Sequence, residues 1–510
     1  MNQSRVQNAE VTSDRTMAGR SVAVVGAGFG GLAAAIACAA AGANVTVFDL
    51  LERVGGKANV AVVDGVEFDT GPSVVTLIDE IDAVFRLAGT SVHEQVKVIE
   101  PTGPFRYIYP ATGLVLDVHS DWARTRQSIH DALGADAAAD ADRFVAYCGR
   151  IWDAAAPHFV RGPRPDLSSM AWMTMRYPGA VMAIDSMRTM RRAIDAQVRS
   201  PQLRWLFYRY ATYNGSDVRT APATLNCISW VELGLGAFGI EGGLYELVRA
   251  LERVASQLGV VFRMGRGVEA IERDRRRVTG IRVNGEVFAA DHVIANADSE
   301  HVYRRLLGMA PPTSQTPSMS GWTGIVRAHR RDERPAHSVL FPQNYEKEFS
   351  DIFDRGVSPD EPTVYVCAQE KAHLRTGWAE HEPLFVMANA PAVMGEAVSA
   401  DTNAPSTASV VMQRLRDAGL VDADDELVWE RTSAGLAAQF PDTYGSIYGP
   451  ASNDMFAAFR RTENRSERFD GLYFAGGSAH PGGGVPLCLR SGLSAAACAA
   501  SDAAAGGRRR

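Results

Sequence analysis

The sequence predicts an α/β fold in which a nucleotide-binding domain is assembled from both ends of the chain. Two glycine-rich segments carry this prediction: Val24-Val25-Gly26-Ala27-Gly28-Phe29-Gly30-Gly31 near the start and residues 474–486 near the end. Between them lie a long helical stretch and a run of alternating strands typical of a half-buried antiparallel sheet. The middle of the chain is therefore expected to form insertions into the nucleotide-binding domain.

The first glycine-rich segment lies between a predicted buried strand, residues 21–25, and a predicted alanine-rich helix, residues 32–41. Gly26, Gly28 and Gly31 occupy the glycine positions of G-x-G-x-x-G. The first glycine permits a tight turn, the second lets backbone approach a pyrophosphate, and the third lets the helix pack on the strand. This arrangement predicts a Rossmann-like dinucleotide site with the phosphates at the start of the helix.

An acidic residue follows at the spacing that such a site needs. Asp49 ends the next predicted strand, residues 44–48, and lies 23 residues after Gly26. An acid at this interval accepts hydrogen bonds from the ribose hydroxyls of the adenosine. The alternative is a glycine-rich turn in an ordinary α/β domain, and the combination of strand, turn, helix and acid favours nucleotide binding.

The residues after the acid indicate which dinucleotide is bound. Arg53-Val54-Gly55-Gly56-Lys57 follows directly, and then comes Asp69-Thr70-Gly71-Pro72. With these motifs the sequence resembles the FAD-dependent phytoene desaturase and amine oxidase superfamily, from about Arg20 to Ala500. The resemblance implies a Rossmann-like FAD-binding domain with non-covalent FAD. The cofactor contacts it implies in this half of the chain are Phe29, Gly30, Arg53, Gly55, Gly56, Lys57, Gly71, Pro72 and a backbone contact of Val268 to the adenine.

The second glycine-rich segment resembles the corresponding segment of the carotenoid-desaturase branch of that superfamily. Residues 472–475 predict a strand, and a helix is expected from about Leu487, so that its N-terminus faces the pyrimidine end of the isoalloxazine ring. The form Gly-Gly-Ser-x-His-Pro-Gly-Gly-Gly-Val-Pro looks closer to hydroxycarotenoid 3,4-desaturases and diapocarotenoid desaturases or oxygenases than to phytoene desaturase. The predicted cofactor contacts here are Gly476, Gly477, Gly484, Val485 and Leu487.

His480 lies within this turn, and two roles stay open for it. An imidazole beside the flavin is suited to proton transfer near neutral pH. It could equally brace the glycine turn by a hydrogen bond to backbone. The other acids close to the motifs are Glu67 and Asp69, and we expect Asp69 to organise its own turn beside Gly71 and Pro72.

Composition excludes several classes of protein. The chain has 510 residues and a net charge of −7, which gives no indication of nucleic-acid binding. Its six cysteines are scattered without metal-ligand spacing, so no metal site is expected and a reducing cytoplasm is favoured. No signal peptide and no apolar run of the ~20 residues needed to span a bilayer are apparent. We expect a cytoplasmic protein, peripheral on the inner membrane face.

The predicted domains are a disordered tail (1–19), a discontinuous FAD-binding domain (20–118, 236–305 and 440–505), a helical membrane-associated insert (119–235) and an antiparallel substrate-domain sheet (306–439). The alanine/glycine tail that ends at Arg510 is also expected to be disordered. Residues 170–198 combine six methionines with Trp172, Tyr177 and several arginines. Such a stretch suits an apolar substrate or an anionic membrane surface, and a core helix with solvated arginines is the alternative.

The resemblance implies an FAD-dependent carotenoid desaturase that removes hydrogen from a C30 or C40 polyene and transfers hydride to flavin N5. Oxygen or a quinone is expected as the electron acceptor, because the chain shows one nucleotide fingerprint and all its parts are used by FAD. The alternatives are a carotenoid oxygenase, a flavin amine oxidase and a non-enzymatic prenyl-lipid binding protein such as the Rab escort proteins. Bound yellow flavin would count against the last of these.

Overall fold

A five-stranded parallel sheet forms the centre of the nucleotide-binding domain. In the computed structural model, which describes residues 16–101, 103–313, 315–394 and 406–507, this sheet draws its strands from both ends of the chain. Val22 to Val25 pair with His292 to Ala295, which pair in turn with the strand before the second glycine-rich segment. In spatial order the strands are Leu472–Phe474, His292–Ala295, Ser21–Val25, Asn44–Phe48 and Val261–Arg263.

Three helices cover one face of this sheet. They are Phe29–Ala40, Tyr245–Gln257 and Val485–Gly507, and their alanine, leucine and valine side chains share one apolar core with the strands. The first and last helices approach closely at Gly492, where an added Cβ atom would lie 2.1 Å from the carbonyl oxygen of Gly30. The C-terminal helix therefore holds the first glycine-rich turn in place from behind.

A seven-stranded sheet forms the second layer of the molecule. The alternating pattern predicted between residues 306 and 439 supplies five of its strands, and antiparallel pairing dominates. The last two strands come from residues 105–118, which the predicted boundaries placed in the FAD-binding segment 20–118. That boundary is wrong, because Phe105–Tyr109 pairs in parallel with His337–Leu340, a partner that local alternation cannot specify. In order the strands are Glu426–Arg431, Ser320–His329, His381–Ala390, Val364–Ala368, His337–Leu340, Phe105–Tyr109 and Leu114–Val118.

The insert between residues 119 and 235 is helical, as predicted. Its methionine-rich stretch is three helices, because Pro178 begins the second of them and Asp185, with a positive φ of 50°, ends it. The helical segments of the insert are Trp122–Leu133, Ala135–Ala155, Ala156–Val160, Leu167–Arg176, Pro178–Ile184, Met190–Asp195, Pro201–Tyr208, Arg209–Asn214, Ala223–Asn226 and Cys227–Leu233.

Smaller elements connect these layers. The remaining strands are Val60–Val63, Val66–Asp69, Val98–Ile99, Gly239–Ile240, Val268–Asp274, Arg277–Val283 and Glu286–Ala289. The remaining helical segments are Ile78–Leu87, Val92–Gln95, Ser299–His301, Val302–Leu306, Tyr345–Phe349, Ser350–Arg355, Gln369–His373, Thr407–Asp417, Ser433–Gln439 and Ala457–Arg460.

The ends of the described chain are more ordered than predicted. Residues 1–15 and 508–510 lie outside the described residues, but residues 16–19 of the predicted tail pack on the domain. Met17 is buried, and its N–H donates to the carbonyl of Ala41. The alanine/glycine tail continues the last helix to Gly507, as the high helix propensity of alanine favours. Over the described residues, no helix is both long enough and apolar enough to cross a membrane.

Candidate functional site

Two cavities meet between the carboxyl ends of the parallel strands and the seven-stranded sheet. The glycine-lined cavity, of about 460 Å³, runs along the carboxyl ends of the parallel strands. The apolar cavity, of about 590 Å³, lies between the seven-stranded sheet and the helical insert. Both cavities share one stretch of wall, which we call the junction. The junction residues are Gly71, Pro72, Phe385, Met387, Tyr448, Gly483, Gly484 and Val485.

The start of the first helix forms one end of the glycine-lined cavity. The first N–H groups of any helix have no partner within it, and here Gly28 at the N-cap provides no side chain to bond them. The first turn also carries no acidic residue. Phe29 and Gly30 line the cavity. Free N–H donors and the positive end of the helix dipole make this place suited to a pyrophosphate.

Asn296 lies between the two glycine-rich segments. An added Cβ atom at Gly28, Gly30 or Gly476 would approach the Asn296 side chain to 2.9, 2.5 and 2.6 Å, respectively. The glycines therefore make room for this amide as well as for a ligand. Sequence reasoning did not single out Asn296, which directly follows the strand His292–Ala295, whose carboxyl end lies beside that of Ser21–Val25.

Asp49 lies at the ribose end of the same cavity. Its carboxylate accepts hydrogen bonds from the N–H groups of Ala27, at 2.6 Å, and Leu51, at 2.8 Å. Burial raises the pKa of Asp49, while these backbone hydrogen bonds lower it. The carboxylate thus connects the glycine turn to the strand that carries the acid, and it is part of the cavity wall.

Two half-buried cations line the cavity. The Lys57 Nζ donates to the carbonyl of Ser446 at 2.7 Å, and burial lowers its pKa. Arg431 donates to the carbonyl of Thr70 at 2.8 Å, and burial lowers its pKa to about 10. Arg431 was not predicted from sequence, because it belongs to a strand of the second sheet and no local motif marks it.

Most of the predicted cofactor residues lie on the wall of this one cavity. Gly31 does not line it: an added Cβ atom there would lie 1.9 Å from the Gly26 carbonyl oxygen, so Gly31 permits the turn and helix to pack. Arg53 is exposed and also lies off the wall. Leu487 and His480 lie on the wall of the apolar cavity. The predicted residues on the glycine-lined wall are Gly26, Gly28, Phe29, Gly30, Asp49, Gly55, Gly56, Lys57, Gly71, Pro72, Val268, Gly476, Gly477, Gly484 and Val485.

The second glycine-rich turn closes the cavity at the junction. Gly484 has a positive φ of 101°, and an added Cβ atom would meet nothing within 4 Å, so this position faces open space. The last helix begins at Val485, two residues earlier than predicted, and directs its first N–H groups toward the junction. The Arg461 guanidinium braces the turn by donating to the carbonyls of Gly477, at 2.9 Å, and Pro450, at 3.1 Å.

His480 is buried in this turn and makes a bracing contact. Its Nε2 lies 3.0 Å from the carbonyl oxygen of Gly162, so Nε2 carries the proton and donates. Burial lowers the pKa of His480 to about 4, and the neighbouring Arg461 and Arg164 act in the same direction. The imidazole is therefore neutral near pH 7, with Nδ1 as its remaining acceptor.

The two acids near the first motifs have other partners. Asp69 accepts from the N–H of Leu244 at 2.6 Å and contacts Arg375, so it caps the helix that begins at Tyr245. The expectation that Asp69 organises its own turn is therefore wrong. Glu67 forms an ion pair with Arg249. Neither carboxylate belongs to the wall of the two cavities.

The apolar cavity is suited to a long hydrocarbon. Its wall comes from the insert, the second sheet and the loop around residue 456, and most of the surface that it exposes to the cavity is apolar. It reaches the surface among exposed side chains, including Met187 and Phe456. A ligand in it would extend from the surface to the junction. The large apolar side chains on its wall include Trp152, Phe159, Ile184, Ile228, Val231, Phe385, Met387, Met455 and Phe459.

Comparison with known families decides what the glycine-lined cavity binds. Residues 29–364 match the family described as flavin containing amine oxidoreductase. The chain belongs to this family. The protein is accordingly an FAD-dependent oxidoreductase of the flavin containing amine oxidoreductase family, and the predicted recognition of its carotenoid-desaturase branch is confirmed by the relatives described next.

Two relatives support this family assignment, and one solved structure has the same fold. The chain is 35% identical to the hydroxyneurosporene desaturase of Rubrivivax gelatinosus, over 93% of this chain and 92% of the relative. It is 28% identical to the 1-hydroxycarotenoid 3,4-desaturase of Flavobacterium sp., over 92% and 96%. A crystal structure of an oxidoreductase from Methanosarcina mazei has a TM-score of 0.60 at 16% identity, covering 93% of this chain and 99% of that one. The last similarity shows the shared fold.

FAD fits the residues present. The uncapped helix start offers donors for the pyrophosphate, Asp49 lies at the adenosine end, and Gly484 leaves space where the ring would meet the apolar cavity. Cys488 lies on the same wall, and burial raises the pKa of its thiol to about 11. The thiol is therefore protonated near pH 7, and non-covalent attachment of the flavin stays a prediction.

Proposed function

We propose that this protein is an FAD-dependent carotenoid desaturase that removes two hydrogens from adjacent carbons of a C30 or C40 polyene. The observation that supports this most is the junction, where an apolar cavity of about 590 Å³ meets the flavin cavity. Hydrocarbon substrates offer no charge to bind, so their recognition depends on a long apolar wall. The names of the relatives add the carotenoid class of substrate.

The chain's own residues contribute to this reaction by positioning the polyene beside the flavin. Bound FAD supplies the hydride acceptor. Three large side chains belong to the junction: Phe385 and Met387, on one strand of the second sheet, and Tyr448, on a loop. They would hold the polyene beside the ring. The enclosing wall also excludes water from the reacting carbons.

The test is a single-turnover experiment without oxygen. Purified protein with FAD is mixed with liposomes that hold a partly saturated carotenoid, and both chromophores are followed. We expect the oxidised flavin spectrum to bleach while the polyene absorption moves to longer wavelength. Rapid reduction by NADPH with no response to any carotenoid would contradict the proposal. Readmitting oxygen, or adding a quinone, then identifies the electron acceptor, for which we propose one of these two rather than NAD(P).

The protein is further proposed to work as a peripheral protein on the cytoplasmic face of the membrane. Its substrate is lipid-soluble, and exposed apolar side chains lie on two helices of the insert, whose Met170 and Val181 line the apolar cavity. Arg176 lies beside them, stacked on Tyr177. Large apolar side chains with nearby arginines suit the boundary of an anionic membrane. The exposed apolar residues are Trp172, Met175, Tyr177, Met182, Met187 and Phe456.

Sedimentation with anionic liposomes tests this surface. Binding should weaken with salt and on Trp172→Glu, because the substitution places a negative charge in the apolar surface. Val287→Glu is the matched control, since Val287 is also an exposed apolar residue and lies on a hairpin outside the insert. Binding that is unchanged by salt and by Trp172→Glu, or lost equally in the control, would place the docking surface elsewhere.

A further inference from the structure

A buried arginine lies on the wall of the apolar cavity. Arg209 is 6% exposed, and its Nη1 donates to the hydroxyl of Tyr107 at 3.1 Å. The guanidinium stacks on the rings of Tyr107, Tyr213 and Tyr365, with centroids 5.5, 4.9 and 5.9 Å away. Among the described residues no carboxylate lies within 4.0 Å of it, and its Nε and Nη2 have no hydrogen-bond partner. A desolvated cation with free donors is unusual in a hydrocarbon site.

The polar groups around Arg209 are occupied by one another. Glu232 accepts hydrogen bonds from the hydroxyls of Tyr210, at 2.8 Å, and Tyr213, at 2.5 Å. The hydroxyl of Tyr365 pairs with Ser73 at 2.8 Å. Because these groups are engaged, the Nε and Nη2 donors of Arg209 remain for a ligand. Ser73, Arg209, Tyr213, Glu232 and Tyr365 all line the apolar cavity.

This polar cluster lies beside the junction. Tyr365 is directly opposite Met387 in the second sheet, and Ser73 directly follows Pro72. Met387 and Pro72 both belong to the wall shared by the two cavities. A group held by Arg209 is therefore close to the carbons that face the flavin.

We propose that Arg209 donates a hydrogen bond to a hydroxyl oxygen of the polyene, a few carbons from the bond that is oxidised. This rests on the proposed function. The name of the Flavobacterium relative places a hydroxyl at carbon 1 and the new double bond at carbons 3 and 4, a separation that a polar cluster beside the junction can accommodate. The substrate class is then a polyene with a hydroxylated end, and Arg209 determines which end enters.

The energetic reason is the cost of an unpaired buried donor. A hydroxylated end gives the free Nε and Nη2 donors of Arg209 an acceptor, whereas a hydrocarbon end leaves these two donors without one. We expect kcat/KM for the hydroxylated polyene to exceed that for its deoxy counterpart by about tenfold or more. A purely structural arginine would give no such preference.

The experiment compares two polyenes that differ only in the terminal hydroxyl, using the FAD-loaded protein in liposomes. The wild type should prefer the hydroxylated one, Arg209→Met should bring the ratio of the two kcat/KM values close to one, and Arg209→Lys should restore part of it. Arg253→Met, at an exposed arginine on another helix, is the matched control and should keep the wild-type ratio. FAD content and thermal midpoint report whether each variant is folded.

Equal turnover of both polyenes by the wild type would overturn the proposal, whether or not the variants fold. An unchanged ratio in FAD-loaded Arg209→Met would do the same. If the wild type oxidises neither polyene, the proposed function fails. The perturbation of the flavin spectrum on binding then still measures the preference for the hydroxyl, and equal affinities would overturn the role of Arg209 separately.

Discussion

Replacing His480 by glutamine removes a buried neutral imidazole while keeping a donor for the Gly162 carbonyl. Burial lowers the pKa of His480 to about 4 in the folded chain, and an unfolded chain titrates this group at about 6.5. Above the unfolded pKa both states are neutral, and pH has no effect through this residue. As pH falls from about 6.5 toward about 4, the unfolded state takes up a proton that the folded state does not, so stability is lost.

The size of the effect follows from the two pKa values. At about pH 5 the wild type should have lost about 2 kcal/mol through this group alone, relative to about pH 7.5. His480→Gln should be less stable than the wild type at about pH 7.5 by about 1 kcal/mol, owing to its poorer fit. The variant has no imidazole to protonate and does not lose this stability in acid. The difference in unfolding free energy between the wild type and His480→Gln should therefore shrink and change sign at about pH 5.

Urea midpoints measured by tryptophan fluorescence at the two pH values test this reasoning. The matched control is His130→Gln, the same substitution at an exposed histidine outside the turn, and it should not give the reversal of stability expected for His480→Gln. A gap between wild type and His480→Gln that stays constant with pH would refute the buried, neutral state. In His480→Ala, lost FAD would favour the bracing role, whereas retained FAD with slow turnover would favour a role in the chemistry. Normal FAD binding and turnover would contradict both roles.

Three further substitutions, two of them with a matched control, test the FAD site and the helix packing behind it. Gly28→Val places a side chain against Asn296 and over the helix start, and should abolish FAD absorbance, whereas Gly179→Val, with nothing within 4 Å of its Cβ, should retain it. Stoichiometric FAD in Gly28→Val would contradict the site. Acid precipitation should release all the flavin from the wild type, and Cys488→Ser should still bind FAD, because the Cys488 thiol is protonated near pH 7; a yellow pellet would reveal a covalent link. Gly492→Ala forces a Cβ atom to within 2.1 Å of the Gly30 carbonyl and should cost about 1–3 kcal/mol of stability, measured as a lower thermal midpoint. Gly435→Ala, whose Cβ would make only ordinary contacts at 3.5 Å, should not.

The nucleotide-binding half was predictable because its signals are local. Strands 21–25 and 44–48 are short apolar runs that are buried in a parallel sheet, and the structure has both with the predicted bounds. The second half depends on which distant strands pair. Residues 105–118 alternate like any half-buried strand, so nothing in them specifies a partner more than 200 residues away.

The same contrast explains which site residues the sequence revealed. A dinucleotide imposes local spacing on a turn, a helix start and an acid, and motifs therefore mark Gly26 to Gly31 and Asp49. A polyene imposes no such spacing on the sequence, because any element that reaches the cavity can supply the apolar contacts. The junction combines Pro72 from a loop, Phe385 and Met387 from a strand, and Tyr448 from another loop. Only the folded chain brings these residues together.

Arg209 shows most clearly which site residues the sequence alone does not reveal. In the sequence it is one arginine among many in a helical insert, and arginines there are expected on a solvated face. Its burial depends on Tyr107 and Tyr365 from the second sheet and on Tyr213 from its own segment, which together cover the guanidinium. A cation removed from water in this way is retained at a cost. The cost is offset if a substrate oxygen completes its hydrogen bonds, so the preference between hydroxylated and deoxy polyenes is the measurement that links this packing to function.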